Sequence, residues 1–127
     1  MRLLLDTHVF LWVVAGSASL KPRTRNMIES AEEVFVSAAS IWEVAIKVRI
    51  GKLEADPNAL ILAIGESGFT ELPVSAAHAA RVSSLAMHHA DPFDRLLIAQ
   101  AVSEPLHLLT ADKLLTKYSE LVLLCSG

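Results

Sequence analysis

The stretch Arg2-Leu3-Leu4-Leu5-Asp6-Thr7 decides how the rest of the chain is read. Three consecutive leucines without polar alternation describe a strand covered on both faces, the habit of parallel sheets. An acid directly after such a strand is costly to bury unless something partners it. In an open parallel sheet the same position borders the crevice beyond the carboxyl ends of the strands, where ligands bind. Any other acid that follows a strand in this way is a candidate for the same site.

Apolar periodicity supplies the neighbouring elements. A helical stretch runs from about His8 to Val14, and Lys21-Pro22-Arg23 opens a second helix, since proline suits a first turn. Val34-Phe35-Val36 is β-branched and aromatic and reads as a buried strand. Ala38 to about Ile50 is helical, with Ile41, Ala45 and Val48 on one face and Gly51 as the stop. Asp56-Pro57 starts a further helix that Gly65 and Gly68 end, and Phe69 to Val74 is extended, with Pro73 favouring a sheet edge. Ser75 begins a helix through about Met87, and Asp91-Pro92 begins one through about Ser103, before Pro105. Leu106 to Thr110 is a strand, a short helix follows near Asp112 to Thr116, and Leu121 to Leu124 is the last strand. Strands alternating with helices imply right-handed crossovers and a mainly parallel sheet between two helical layers: a three-layer α/β/α fold.

Four acids take positions that this fold sends to one end. Asp6 follows the first strand, Asp112 comes two residues after the strand ending at Thr110, Glu43 lies in the helix after Val36, and Asp94 opens the helix begun by Pro92. Converging carboxylates repel unless protons or cations neutralise them, and oxygen ligands around a hard cation select Mg²⁺ or Mn²⁺. Each acid also has an ordinary explanation. Asp6 and Asp112 can cap the helices after them. Ser40-Ile41-Trp42-Glu43 matches a capping box, and Glu43 can pair with Lys47 one turn on. Asp91-Pro92-Phe93-Asp94 reads as a cap, a first-turn proline and an acid on the helix dipole. Asp56-Pro57 repeats that dipeptide without a companion acid and serves as the control. The joint placement of the four acids carries the argument.

Composition bounds the alternatives. Of 127 residues 53% are hydrophobic and 20% charged, which excludes intrinsic disorder and fits one domain over residues 1–127. A net charge of −3 excludes a strongly basic nucleic-acid clamp. The single cysteine, Cys125, forms no intrachain disulfide. No run approaches the ~20 apolar residues of a spanning helix. Asp6 and His8 interrupt what would otherwise resemble a secretory leader, so the cytoplasm is the expected location. A mean hydropathy of +0.45 implies a self-association surface.

The segments Leu3-Leu4-Leu5-Asp6-Thr7, Ser40-Ile41-Trp42-Glu43-Val44-Ala45, Asp91-Pro92-Phe93-Asp94-Arg95-Leu96-Leu97-Ile98-Ala99-Gln100-Ala101 and Leu109-Thr110-Ala111-Asp112 together resemble the PIN-domain ribonucleases, and more narrowly the VapC-type toxins of bacterial toxin–antitoxin pairs. The resemblance runs nearly end to end. It implies an endoribonuclease that uses Mg²⁺ or Mn²⁺ and metal-activated water to leave a 5′-phosphate and a 3′-hydroxyl. By position Asp6, Glu43 and Asp94 match the family's first three acids and Asp112 the fourth, with Thr110 at a hydroxyl position that orients the site. Asp91 is accounted for as a cap. The resemblance further implies an RNA substrate, a small antitoxin partner whose C-terminal segment blocks the acids, and a homodimer.

Other residues are expected to play lesser parts. Arg95 stands beside the acids as a phosphate contact, and Lys21, Arg23, Arg25 and Lys47, Arg49, Lys52 form two basic stretches. His8, His78, His88, His89 and His107 are scattered and read as structural or exposed; His88-His89-Ala90-Asp91 lacks the second cluster a zinc site needs. Leu11, Trp12, Val13 and Val14, with parts of the Val34 to Ile50 segment, are candidates for an apolar groove or dimer face. A phosphoacceptor receiver domain shares the length and an acidic Mg²⁺ pocket but needs adjacent acids after the first strand and an aspartate after a middle one; Asp6 stands alone. A non-catalytic interaction module is the third reading.

Overall fold

A computed structural model describes residues 1–125. Its elements follow in order: β1 (Arg2–Leu5), α1 (Thr7–Ala15), α2 (Pro22–Ser30), β2 (Glu33–Ser37), α3 (Ala38–Arg49), α4 (Pro57–Glu66), β3 (Thr70–Leu72), α5 (Ala76–Arg81), α6 (Pro92–Ser103), β4 (His107–Thr110) and β5 (Val122–Leu124), with 3₁₀ turns at Val82–Ser84 and Lys113–Lys117. The five strands form one sheet in the order β3-β2-β1-β4-β5, and every pairing is parallel. This is the three-layer α/β/α architecture expected. The order differs from the 2-1-3-4-5 arrangement of receiver domains, so the receiver reading is set aside.

β1 lies at the centre, with Leu4 opposite Phe35 of β2 on one side and Leu108 of β4 on the other. Side chains alternate across a strand, and the two cores show it. Leu3, Leu5, Val34, Val36 and Leu109 pack with Val9 and Phe10 of α1, Ile28 of α2 and Leu60 and Ile64 of α4. Leu4 and Leu108 point the other way, onto Leu97, Ile98 and Ala101 of α6, with Leu115 and Val122. The leucine run is therefore apolar throughout because helices cover both faces. The short strand β3 forms one edge, and Pro73 follows it directly, where a missing N–H costs the ladder nothing.

Three local expectations change. The helix from Ser75 stops at Arg81 and tightens into a 3₁₀ turn, and residues 85–91 are irregular. Gly65 lies inside α4, and only Gly68, at φ 79°, makes the left-handed exit that the next strand requires. The capping box sits at Ser75 and His78, whereas α3 is capped by Ser37. Ser40 and Glu43 lie inside α3 and turn to other partners. Truncating Leu108→Ala at the fully buried centre should cost about 2–5 kcal/mol. Leu62→Ala, 67% exposed on α4, should change stability by no more than about 0.5 kcal/mol. Urea unfolding of both variants measures the difference.

Candidate metal centre

Strand direction decides where the acids go. All five strands run parallel, so the residues after β1 and β4, and the starts of the helices leading back from that end, share the carboxyl edge of the sheet. Asp6 leaves β1 there, continuing the ladder through its N–H to the Leu109 carbonyl at 3.0 Å. Its carboxylate caps α1, accepting the Val9 N–H at 2.9 Å on Oδ1, and accepts the Thr110 hydroxyl at 2.5 Å on Oδ2. Thr110 in turn accepts the Asp112 N–H at 3.0 Å. Thr110 is thus the tie between the first and the last acid. Burial raises the Asp6 pKa, and its two hydrogen bonds only partly offset that.

Asp6, Asp94 and Asp112 line one cleft of about 260 Å³ together with His8, Trp12 and Ala111. Glu43 is not among the lining residues, although its charge raises the pKa of both Asp6 and Asp94. It is buried in α3 and held on both oxygens, by the Thr7 hydroxyl at 2.7 Å and by Lys47 Nζ at 2.7 Å. Ser40 lies 2.9 Å from the same Thr7 hydroxyl. The ion pair with Lys47 is the bland role the spacing allowed, and it exists; the capping box does not. Asp91 caps α6 through the N–H groups of Phe93 and Asp94 at 2.8 and 3.2 Å, as Pro92 implies. Asp56 caps α4 and stays outside the cluster.

Two expectations at this end fail. Arg95 is buried and its guanidinium is taken up by backbone carbonyls and a tyrosine hydroxyl. Its guanidinium donates to the carbonyls of Ala86 (2.9 Å), Val82 (3.2 Å), Leu85 (3.4 Å) and His89 (3.5 Å) and to the Tyr118 hydroxyl (3.2 Å). Position one residue from an acid suggests a ligand contact, but carbonyls between Val82 and His89 claim the arginine. His89 is not a stray histidine. Its Nε2 lies 2.9 Å from Asp94 Oδ2 and 3.8 Å from Asp112 Oδ2. The signal was there in His89-Ala90-Asp91-Pro92-Phe93-Asp94: a helix capped at Asp91 turns the chain, so the residue two before the cap folds back over the first turn. Of the remaining histidines, His8 borders the acids in the cleft, whereas His78 is buried against Glu104 at 2.6 Å.

Desolvation and the neighbouring Asp91 charge push Asp94 up to about 6, against the lowering effect of the His89 hydrogen bond. Excess negative charge in a half-buried cleft is the condition that a cation relieves. The donor set also fits one: His89, Asp94 and Asp112 each offer a ligand atom, all within 4.8 Å of one another. Cys125 is not among these ligand groups, and burial pushes its thiol up to about 11.

A PIN domain family model matches residues 3–121. The chain belongs to the PIN domain family. Its fold is similar to that of several solved structures. It is 15% identical to a chain of VapBC2 from Rickettsia felis, solved bound to a DNA fragment from its promoter, with a TM-score of 0.71 and coverage of 98% of this chain and 97% of that one. A toxin–antitoxin complex from Klebsiella pneumoniae gives 17% identity, a TM-score of 0.68 and 97% coverage of both chains. FitAcB from Neisseria gonorrhoeae gives 22%, 0.55 and 89% of both. No curated protein matches the chain.

The raised Asp94 pKa fixes a sign in this PIN domain. Its native carboxyl binds a proton more readily than the unfolded one, so this group weakens folding as pH rises from about 4 to above 6. In metal-free protein at pH 7.5, Asp94→Asn should therefore stabilise, by about 1–2 kcal/mol after discounting for solvent screening. The gain should vanish near pH 4, which thermal unfolding across that range measures.

Proposed function

We propose that this PIN domain is a divalent-metal-dependent endoribonuclease and the toxin of a toxin–antitoxin pair. The observation that carries the reading is the cleft shared by Asp6, Asp94 and Asp112, with the charge of Glu43 reaching two of them. In this reading Asp6, Glu43, Asp94 and Asp112 hold Mg²⁺ or Mn²⁺ and are the catalytic residues. A bound dication would supply a lowered pKa for a coordinated water and charge to offset the oxygens of the phosphate under attack.

The chain's own residues supply the rest. The Val9 N–H and the Thr110 hydroxyl fix the Asp6 rotamer, and each carboxylate oxygen keeps lone pairs for a ligand. Lys47 neutralises Glu43, and turning that ammonium towards RNA frees a carboxylate oxygen. Lys47 and Lys52 line an adjoining cleft with His8, which also borders the acids, so the phosphate track runs from one cleft to the other. That local charge replaces the contact expected of Arg95 and is consistent with a chain of net charge −3.

The solved relatives that are toxin–antitoxin complexes support the partner half of the reading. An antitoxin segment would cover the acids, and a second copy of this chain would cover apolar surface left open. Leu11, Trp12 and Val13 of α1 are half-buried against the core, whereas Trp42 and Ile46 of α3 and Ile50 just after it stand exposed at one-turn spacing. No described helix is long and apolar enough to cross a membrane, in keeping with a cytoplasmic protein. The single domain over residues 1–127 is the working unit.

Incubation of a mixed RNA panel with Mg²⁺ or Mn²⁺ tests the reading. Wild type should cut and leave 5′-phosphates. Asp6→Asn and Asp94→Asn should each lower the rate by about 10²–10³-fold or more, the scale of losing a charge partner in the transition state. Equal cutting by the variants removes these residues from the site. A wild type that cuts nothing leaves the non-catalytic module.

A further inference from the structure

The four-acid reading makes no use of His89, yet the structure gives that residue the most specific placement near the cleft. We propose that His89 is itself a metal ligand. Its Nε2 would join the Asp94 and Asp112 carboxylates in a mixed nitrogen–oxygen site that favours a first-row transition cation over Mg²⁺. The inference rests on the metal-dependent reading above and adds the selectivity of that same site.

The three ligand atoms stand close enough to share one ion. Donors at ~2.1 Å from an octahedral cation stand ~3 Å apart at adjacent vertices and ~4 Å apart across it. His89 Nε2 is 2.9 Å from Asp94 Oδ2 and 3.8 Å from Asp112 Oδ2, and all three ligand atoms fall within 4.8 Å of one another.

The backbone that carries His89 is also anchored. Tyr118 Oη accepts the N–H groups of His88 and His89, at 3.1 and 2.8 Å, and lies 3.2 Å from the His89 carbonyl. Arg95 binds that hydroxyl and four carbonyls between Val82 and His89. An irregular segment that would otherwise sample many conformations is thereby pinned to α6, one residue from Asp94. Outer partners of this kind fix a ligating imidazole and weigh on affinity by about 10–100-fold. Arg95 and Tyr118 are thus positioning residues.

Donor chemistry sets the preference. Mg²⁺ takes oxygen ligands and keeps several waters, whereas imidazole nitrogen suits transition metals. Mn²⁺, which also accepts carboxylates, is the transition ion that this set accommodates with least change.

Titration calorimetry of the whole chain with Mn²⁺ and with Mg²⁺, together with electron spin-echo spectroscopy of the Mn²⁺ complex, tests the proposal. Wild type should bind Mn²⁺ more tightly and show nitrogen modulation from a directly bound imidazole. His89→Gln keeps a polar group facing Asp94. It should lose that modulation and weaken Mn²⁺ about tenfold or more, while Mg²⁺ affinity changes less than about threefold. Tyr118→Phe should lower Mn²⁺ affinity by a smaller factor with the modulation retained. Absence of nitrogen modulation in Mn²⁺-bound wild type, or equal weakening of both metals in His89→Gln, overturns the ligand assignment and leaves the four-acid reading standing. Failure of wild type to bind either metal overturns both.

Discussion

The Asp6 carboxylate sits at the end of a strand buried on both faces, where its charge is poorly solvated, and two donors hold it there without cancelling that cost. Its neighbours add to the problem. Burial, together with the charges of Asp91, Asp6 and Glu43, drives Asp94 up to about 6. Most buried charge in proteins is paired at close range. Here one acid, Glu43, has a lysine, and the acids facing the cleft have a threonine, backbone N–H groups and a histidine. A fold does not keep such an arrangement for stability, because the like charges work against it. A cation would turn the same geometry from repulsive to attractive, and under the proposed metal-dependent reading that reversal ties the sheet topology to the chemistry.

Topology is what allows four distant segments to meet. With β1 central and every neighbour parallel, each strand delivers its carboxyl end to the same edge. Asp6 and Asp112 arrive directly from β1 and β4, and Thr110, the last residue of β4, links them. Glu43 and Asp94 arrive on α3 and α6, which Trp42 and Phe93 join by an edge-on contact with ring centres 5.0 Å apart. The two helices that carry the outer acids are therefore braced against each other at the mouth of the site.

Much of this was legible from pattern alone. The leucine run of β1, the β-branched run of β2 and the prolines at Pro22, Pro57 and Pro92 each locate an element, because burial on two faces and a missing N–H leave few choices. The positions of the acids relative to strand ends followed once the sheet was taken as parallel. What escaped were interactions that depend on which side chain reaches which loop. Ser40-Ile41-Trp42-Glu43 has capping-box spacing, but the helix starts three residues earlier at a better-placed serine, Ser37, so both side chains were free for Thr7. The segment from Leu85 to Ala90 has no regular hydrogen bonding of its own, and its carbonyls drew in Arg95. Periodicity is silent about an irregular segment, and so Arg95 and His89 exchanged the roles their sequence positions implied.

That exchange shows how the site is held together. An arginine on the surface beside the acids would have offset their charge from outside and competed with a cation for it. Buried beneath the 82–89 segment, the same guanidinium spends its donors on neutral carbonyls and a tyrosine hydroxyl. The negative potential of the cleft is left without an arginine to offset it, and the segment gains hydrogen bonds that its lack of secondary structure denies it. Position relative to the helix cap then does the rest. With Asp91 fixed to the first turn of α6, His89 lies back across that turn, and its Nε2 comes within 2.9 Å of the Asp94 carboxylate.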